Sequence, residues 1–181
     1  MLAIGIIGTM GSGKGTISDY LVKHYGFYRV VMGNIVRMLA RRNKIEINRK
    51  NLQDFAKKRR KEYGEDYFID LTIAKAKKSK KNLILVDGVR TLRDAVKLKE
   101  QLGAKILMAD AKPEIRFERM KKRRRKGFAK TIEEFKFYEK NEPGYNELAK
   151  TLKYVDYKIN NDGTKEDVYK NIDKLIKSIK K

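Results

Sequence analysis

The segment Gly8-Thr9-Met10-Gly11-Ser12-Gly13-Lys14-Gly15-Thr16 constrains this chain more than any other feature. It follows an unbroken apolar run at 2–7 and opens a stretch with helical spacing. A continuous apolar run of that length reads as a strand buried on both faces. The glycines let the backbone curl so that successive N–H groups point inward, forming a cradle for phosphate oxygens. The helix that follows adds its positive N-terminal end, and Lys14 adds a mobile full charge for the outer phosphates. Gly8, Met10, Gly11, Ser12, Gly13, Lys14, Gly15 and Thr16 are therefore the expected phosphate-binding residues. The apolar start is not read as a signal peptide, because no basic residue precedes it and it runs straight into the glycine loop.

Four further apolar runs, at 28–32, 83–86, 105–109 and 155–160, end at a glycine or near polar and charged residues and read as parallel strands. Between them lie longer stretches with helical spacing. Three of these begin with a capping pair: Thr91 with Asp94, Thr131 with Glu134, and Thr164 with Asp167. Pro113 sits where a first helical turn would start, and Val168, Ile172, Leu175, Ile176 and Ile179 share one face of the last helix. Alternation of strand and helix gives an α/β class with a mostly parallel sheet. The 181 residues, 41% of them hydrophobic, suit one domain. Its core is expected at 1–32, 82–113 and 154–181. Residues 33–81 hold two or three helices and residues 114–153 two, the first very basic. In an open α/β sheet ligands bind beyond the carboxyl ends of the strands, so these two excursions are natural walls for a site there.

Composition narrows the chemistry. The chain has no cysteine, which excludes disulfides, thiolate metal sites and a cysteine nucleophile. A reducing, cytoplasmic setting is expected. No apolar run approaches the roughly 20 residues that span a bilayer, so no membrane partner is expected. The net charge of +22, from 45 Lys and Arg against 23 Asp and Glu, attracts phosphates, nucleotides or nucleic acid. A lysine-rich surface is also what a heat-tolerant protein displays. His24, the only histidine, falls near the end of the first helix and reads as a surface residue.

The form G-x-G-K-G-T at 11–16 resembles the adenylate-kinase branch of the nucleoside monophosphate kinases. The usual phosphate loop places Ser or Thr directly after the lysine to hold magnesium. Here that position is Gly15, and the hydroxyl follows at Thr16. In the branch it resembles, the metal is held largely through water. Met32-Gly33-Asn34-Ile35-Val36-Arg37 is similar to the acceptor-site segment T-G-D-x-L-R of adenylate kinases, where the arginine holds the acceptor phosphate; Asn34 replaces the aspartate. Arg60 and Gly64 resemble a segment of deoxynucleotide kinases and dephospho-coenzyme A kinase-like proteins, which would turn Arg60 toward the acceptor, with Arg59 equally placed by spacing. Leu83-Ile84-Leu85-Val86-Asp87-Gly88-Val89-Arg90 is an apolar strand ending in a carboxylate, the Walker B arrangement. That carboxylate can orient water on magnesium or accept a proton. Gly88 would permit close approach, and Arg90 would point to the same strand ends.

The helix from Pro113 carries Arg116, Arg119, Arg123, Arg124 and Arg125, and the spacing of 116, 119 and 123 marks one face. In the family, arginines of this lid helix contact the transferred phosphoryl group. Asn161 and Gly163 lie in a segment similar to the one that packs on the adenine base. The resemblance covers nearly the whole chain and is closest to archaeal adenylate-kinase-related, dephospho-coenzyme A kinase-like proteins. It implies a three-layer P-loop NTPase fold with five parallel strands, helices on both faces, a helical acceptor-binding insertion at 33–81 and a helical lid at 114–153.

The function this implies is phosphoryl transfer from ATP, with Mg2+, to a nucleotide-like small molecule, expected to be a nucleoside or deoxynucleoside monophosphate. Lys14, Asp87, Arg119 and Arg123 are the expected catalytic groups. Thr16 and Asp87 are expected on the metal side, through water, and Arg119, Asn161 and Gly163 on the nucleotide. Gly33, Arg37, Arg60, Gly88 and Arg90 are expected on the acceptor. Two alternatives stand beside this reading. One is dephospho-coenzyme A as acceptor, where a sugar hydroxyl needs a base and only Asn34 stands at the expected acidic position. The other is a nucleotide-switched ATPase that binds RNA or DNA, favoured by the charge but lacking a nucleic-acid fold signature.

Overall fold

The computed structural model describes residues 1–123, 129–141 and 143–179. Five strands form one sheet: β1 (Leu2–Ile7), β2 (Tyr28–Val31), β3 (Leu83–Asp87), β4 (Lys105–Asp110) and β5 (Tyr157–Asn160). Their order is β2-β3-β1-β4-β5 and every pairing is parallel. Nine helices accompany them among the described residues: α1 (Lys14–Tyr25), α2 (Met32–Arg42), α3 (Arg49–Tyr63), α4 (Tyr67–Lys78), α5 (Leu92–Leu102), α6 (Pro113–Lys122), α7 (Ile132–Asn141), α8 (Pro143–Thr151) and α9 (Lys165–Ile179). None of the described helices is long and apolar enough to cross a membrane.

The two-residue period of the strands sorts the core into two layers. Ala3 and Ile7 of β1, Ile84 and Val86 of β3, and Ile106 of β4 pack with α2, α4 and α5 through Ile35, Phe68, Ile73 and Leu98. Ile4, Ile6, Leu85, Leu107 and Ala109 face the other way, onto Ile17 and Leu21 of α1 and Val168, Ile172 and Ile176 of α9. Alternate residues are buried on both faces, which is why these strands read as unbroken apolar runs. A third, small cluster joins Phe117, Phe135 and Ala129 beside the sheet.

The capping pairs read from the sequence are present. Thr91 and Asp94 form a reciprocal capping box at α5, Glu134 donates its N–H to Thr131 at 3.2 Å, and Asp167 donates to Thr164 at 3.2 Å. β5 starts at Tyr157 rather than 155. The reason is Asp156, whose carboxylate accepts the Ile106 N–H at 2.7 Å and pairs with Lys99 at 2.8 Å. A side chain thus occupies the donor that a longer strand would have used. Residues 152–154 form a short 3₁₀ turn instead.

The sheet reverses its winding at β1. The chain steps from β1 out to β2 on one side, and from β3 across β1 to β4 on the other. The carboxyl ends of β1, β3 and β4 therefore border the crevice where α/β sheets bind ligands.

Candidate active site

The loop between β1 and α1 sits in that crevice, and three of its glycines are dictated by geometry. Gly8 has φ +145, and a Cβ there would lie 2.3 Å from the Ala109 carbonyl oxygen at the end of β4. Gly11 has φ +80, with the Arg116 carbonyl oxygen 2.8 Å from its would-be Cβ. Gly13 has φ +90 and would meet the Asn161 amide nitrogen at 1.7 Å. Backbone in these conformations is the province of glycine, and at all three positions the neighbour leaves no room for a Cβ. Gly15 is different, since nothing lies within 4 Å of its would-be Cβ. A hydroxyl residue after the lysine is thus not sterically barred. Thr16, one residue on, is half-buried in the first turn of α1.

Lys14 folds its ammonium back over the loop and donates to the carbonyls of Gly8 at 2.6 Å and Thr9 at 2.8 Å. Burial is the main reason its pKa is pulled down to about 8. Asp87 opposes that shift, while Arg90, Arg116 and Arg123 add to it. Lys14 is therefore within electrostatic reach of one acid and three arginines from β3, the loop after it and α6. Ser12 is fully buried and its hydroxyl has no hydrogen-bond partner among the described residues.

Asp87 ends β3, beside β1. Its Oδ2 accepts from Arg29 Nε at 3.0 Å and from Arg29 Nη2, and lies 3.5 Å from the Ser18 hydroxyl. Arg29 also donates to Asp19 Oδ1 at 2.7 Å. The sequence reading missed Arg29. The available signal was a lone arginine inside the apolar run of β2. Gly88, with φ +98, follows Asp87 and lies beside the start of α2; a Cβ there would meet Met32 Cβ at 3.6 Å and Gly33 N at 3.9 Å, ordinary contact distances, so the backbone conformation rather than a close approach calls for glycine.

Gly33 and Gly88 are thus brought together. Arg37 is exposed on α2, donates to Asn34 Oδ1 at 2.9 Å and lies over Gly33. Asn34 takes up a contact that an aspartate would have made with a full charge. Arg60 and Arg59 part company. Arg59 turns to Asn43 at 2.6 Å and Glu62 at 2.9 Å, over the Phe55 ring. Arg60 lies over the Phe68 ring and makes a long 3.9 Å ion pair to Glu65. Arg90 is exposed just beyond Gly88. A separate cleft of about 570 Å³ is lined by Asn43, Lys44, Phe55 and Arg59, at the far end of α2, away from the loop.

On the other side α6 brings its arginines toward the loop with different fates. Arg116 does not share the role its spacing with Arg119 and Arg123 suggests. It is buried, pairs with both oxygens of Glu139 on α7 (Nη2 to Oε2 at 2.8 Å), and donates to the Ala111 carbonyl at 2.9 Å and the Met10 carbonyl at 3.3 Å. It is a clamp between α6, α7 and the loop. Arg119 donates to Asn161 Oδ1 at 3.2 Å, and its other terminal nitrogen is buried with no partner among the described residues. Arg123 closes α6. Arg124 and Arg125 lie outside the described residues.

Asn161 is buried at the end of β5. Its amide donates to the Ser12 carbonyl at 2.9 Å while its oxygen accepts from Arg119. Gly163 is exposed, and its would-be Cβ lies 2.7 Å from the Asp167 carboxylate, which Thr164 holds by its N–H and hydroxyl. His24 is exposed and stacked on Tyr20 at 4.3 Å between ring centroids.

These residues fit a nucleoside triphosphate. Three obligate glycines, an inward lysine, and the unpartnered polar groups of Ser12 and Arg119 converge on one loop. Among the described residues no group of three His, Cys, Asp or Glu side chains could cage a metal. A divalent ion would be held by Asp87 and the nucleotide's own phosphates, the arrangement magnesium favours.

Comparison with known proteins agrees with this geometry. A family model described as an AAA domain matches residues 7–136. A UPF0200 protein of Hyperthermus butylicus is 36% identical over 167 residues, covering 92% of this chain and 88% of that one. The chain belongs to the UPF0200 family. A second UPF0200 protein, from Staphylothermus marinus, is 32% identical and covers 96% of this chain and 90% of its own length. Among solved structures, this UPF0200 chain is similar in fold to shikimate kinase of Bacteroides thetaiotaomicron, with a TM-score of 0.63, 16% identity, and coverage of 97% and 98% of the two chains. Shikimate kinase of Acinetobacter baumannii in complex with shikimate gives a TM-score of 0.59 at 19% identity, covering 98% of this chain and 94% of that one. The UPF0200 fold is thus a kinase-like P-loop fold with a five-stranded parallel sheet.

Proposed function

We propose that this protein is an ATP- and Mg2+-dependent phosphotransferase acting on a nucleotide-like small molecule, a nucleoside or deoxynucleoside monophosphate. The observation that carries the proposal is the loop after β1: Gly8, Gly11 and Gly13 leave no room for a Cβ, Lys14 folds its ammonium over the loop, and Asp87 ends the neighbouring strand β3 within electrostatic reach of that lysine, as are Arg90, Arg116 and Arg123. Phosphoryl transfer needs this arrangement, because its transition state spreads negative charge over three oxygens and gains most from prearranged positive groups.

In this reading the loop N–H groups and Lys14 hold the outer phosphates of ATP. Arg119, with Asn161 beside it, faces the nucleotide, and Gly163 lines the base side. Arg37, Arg60 and Arg90 anchor the acceptor phosphate, with Gly33 and Gly88 leaving it room. Asp87 and Thr16 would hold a magnesium ion through its water shell, and the ion would supply positive charge against the phosphates. An acceptor phosphate oxygen forms the new P–O bond as the bond to the departing ADP breaks, so no base is required. Arg123 and Arg119 balance the charge of the moving group. Residues 33–81 act as the acceptor wall and residues 114–153 as a lid that excludes water. A hydroxyl acceptor, dephospho-coenzyme A or shikimate, fits less well. The carboxylate nearest the loop, Asp87, is already engaged by Arg29, and Asn34 supplies no base.

The test is transfer from ATP with Mg2+ to a panel of AMP, CMP, UMP, GMP, their deoxy forms, dephospho-coenzyme A and shikimate. Rapid turnover of one mononucleotide is expected, with Lys14→Ala lowering it by about a hundredfold or more. Slow ATP hydrolysis that no acceptor stimulates would overturn the kinase reading and turn attention to RNA and DNA binding.

A further inference from the structure

Arg29 stands between two carboxylates. Its Nε and Nη2 both engage Oδ2 of Asp87, and its Nη1 engages Oδ1 of Asp19 at 2.7 Å. The placement follows from the strands. Arg29 pairs in register with Leu85, and Val31 with Asp87. Leu85 faces α1, so Asp87, two residues on, faces α1 as well. Val30 faces the opposite layer, which leaves Arg29 on the α1 side. The first turns of α1 lie over this face and supply Ser18 and Asp19. One guanidinium thus ties the helix that begins at Lys14 to the carboxylate at the end of β3.

Charge decides what this tie does. A lone arginine on Asp87 would neutralise it, and a neutral pair attracts a cation weakly. With Asp19 included, the three side chains sum to one negative charge. The Asp87 side chain is 13% exposed, Arg29 28% and Asp19 74%. The inner acid is therefore fixed in one orientation, while the outer acid compensates the arginine from the solvent side. We infer that Arg29 is a positioning residue. It aims Asp87 at the metal of a bound nucleotide, and Asp19 preserves the negative charge that makes Asp87 useful. The inference rests on the phosphotransferase reading, since it presumes that nucleotide arrives with a divalent ion.

The measurement is the affinity of a fluorescent ATP analogue with and without Mg2+, the second in EDTA, for the whole protein and for Asp19→Asn, Arg29→Lys and Arg29→Met. Electron paramagnetic titration of Mn2+ into the nucleotide complex gives the metal affinity directly. Replacing a group that orients a metal-directing carboxylate costs about 10- to 100-fold in metal affinity. Arg29→Met should therefore weaken Mn2+ binding about tenfold or more, and Arg29→Lys should restore part of the loss. Asp19→Asn alters an exposed pair, so a two- to fivefold weakening is expected, roughly the worth of a surface ion pair. Its thermal midpoint should fall by no more than about 2–4 °C. In EDTA all variants should bind the analogue as the parent does.

A parent protein whose nucleotide affinity ignores Mg2+ would overturn the metal-dependent reading itself, and this inference with it. A parent that responds to Mg2+, with Asp19→Asn and Arg29→Met matching it in Mn2+ affinity, or with Arg29→Met binding Mn2+ more tightly as its extra negative charge alone would dictate, would overturn only the inference. Loss of nucleotide binding in EDTA by Arg29→Met, with Asp19→Asn unaffected in every measurement, would reduce Arg29 to a packing role.

Discussion

Lys14 keeps its charge in a place that disfavours it. Buried over the loop and surrounded by arginines, its pKa is held at about 8 against an ordinary value of 10.5. The free protein therefore binds fewer protons than the unfolded chain between those values. Its stability contribution rises as pH climbs through that window, and the penalty is complete below it. A triphosphate reverses the balance, because it favours the ammonium and lifts its pKa. Nucleotide binding should therefore take up a proton near pH 8, about half an equivalent where Lys14 is half-titrated. Affinity should be level below pH 8 and fall by up to about tenfold per unit above it. Calorimetric titrations in buffers of different ionisation enthalpy measure the uptake. No uptake at pH 8, or an affinity that rises with pH, would contradict the placement of Lys14 on the phosphates. At this scale the loop was legible in the sequence because its glycines answer a local backbone demand. Arg29 was not, because its partner Asp87 lies 58 positions away and only strand order brings them together.

At the scale of elements, α6 shows what periodicity reads and what it cannot. Spacing places residues 116, 119 and 123 on one side of a helix, and α6 is a helix from Pro113 to Lys122. Spacing cannot say what lies across from that side. Glu139 comes from α7, 23 positions later, and captures Arg116, while Arg119 reaches Asn161 at the end of β5, the strand beside β4 but 42 positions on in the chain. β5 falls short of its apolar run for a similar reason, since the carboxylate of Asp156 takes a ladder donor. The Arg116–Glu139 pair, with side chains 6% and 12% exposed, yields a sharp expectation. Removing one partner of a buried pair leaves an uncompensated charge and costs about 3–5 kcal/mol, whereas replacing both with apolar side chains is often far milder. Glu139→Ala should thus lower the thermal midpoint by about 6 °C or more, at roughly 2–4 °C per kcal/mol for a chain of this size. Arg116→Met combined with Glu139→Leu should be less destabilised than Glu139→Ala alone. If the double variant is the worse of the two, the hydrogen bonds from Arg116 to Ala111 and Met10 outweigh the ion pair in holding α6 against the loop.

For the whole molecule, the sheet and its two core layers were legible because strands buried on both faces and amphipathic helices write their burial into the sequence. The net charge of +22 was equally plain, but its meaning is not local. Self-repulsion of that size destabilises any compact state, so salt and multivalent anions should raise the melting temperature with no site at all. A specific nucleotide site adds a second effect of separate origin. At a nucleotide concentration about a hundredfold above Kd, binding to the folded state alone stabilises by about 2.7 kcal/mol, roughly 5–10 °C here. The two effects part in high salt. Screening at about 0.5 M shortens the reach of surface charge to a few ångström, so the shift given by an unspecific polyanion such as tripolyphosphate should shrink. The shift given by Mg2+-ATP should persist, because the loop contacts are short and buried. Lys14→Ala should keep the salt-dependent rise and lose the nucleotide-dependent one. Melting curves of both proteins, with ATP and with tripolyphosphate at low and high salt, separate the two contributions. Equal shifts from the two ligands in high salt would mean that the phosphates, and not a nucleotide, are all that this surface recognises.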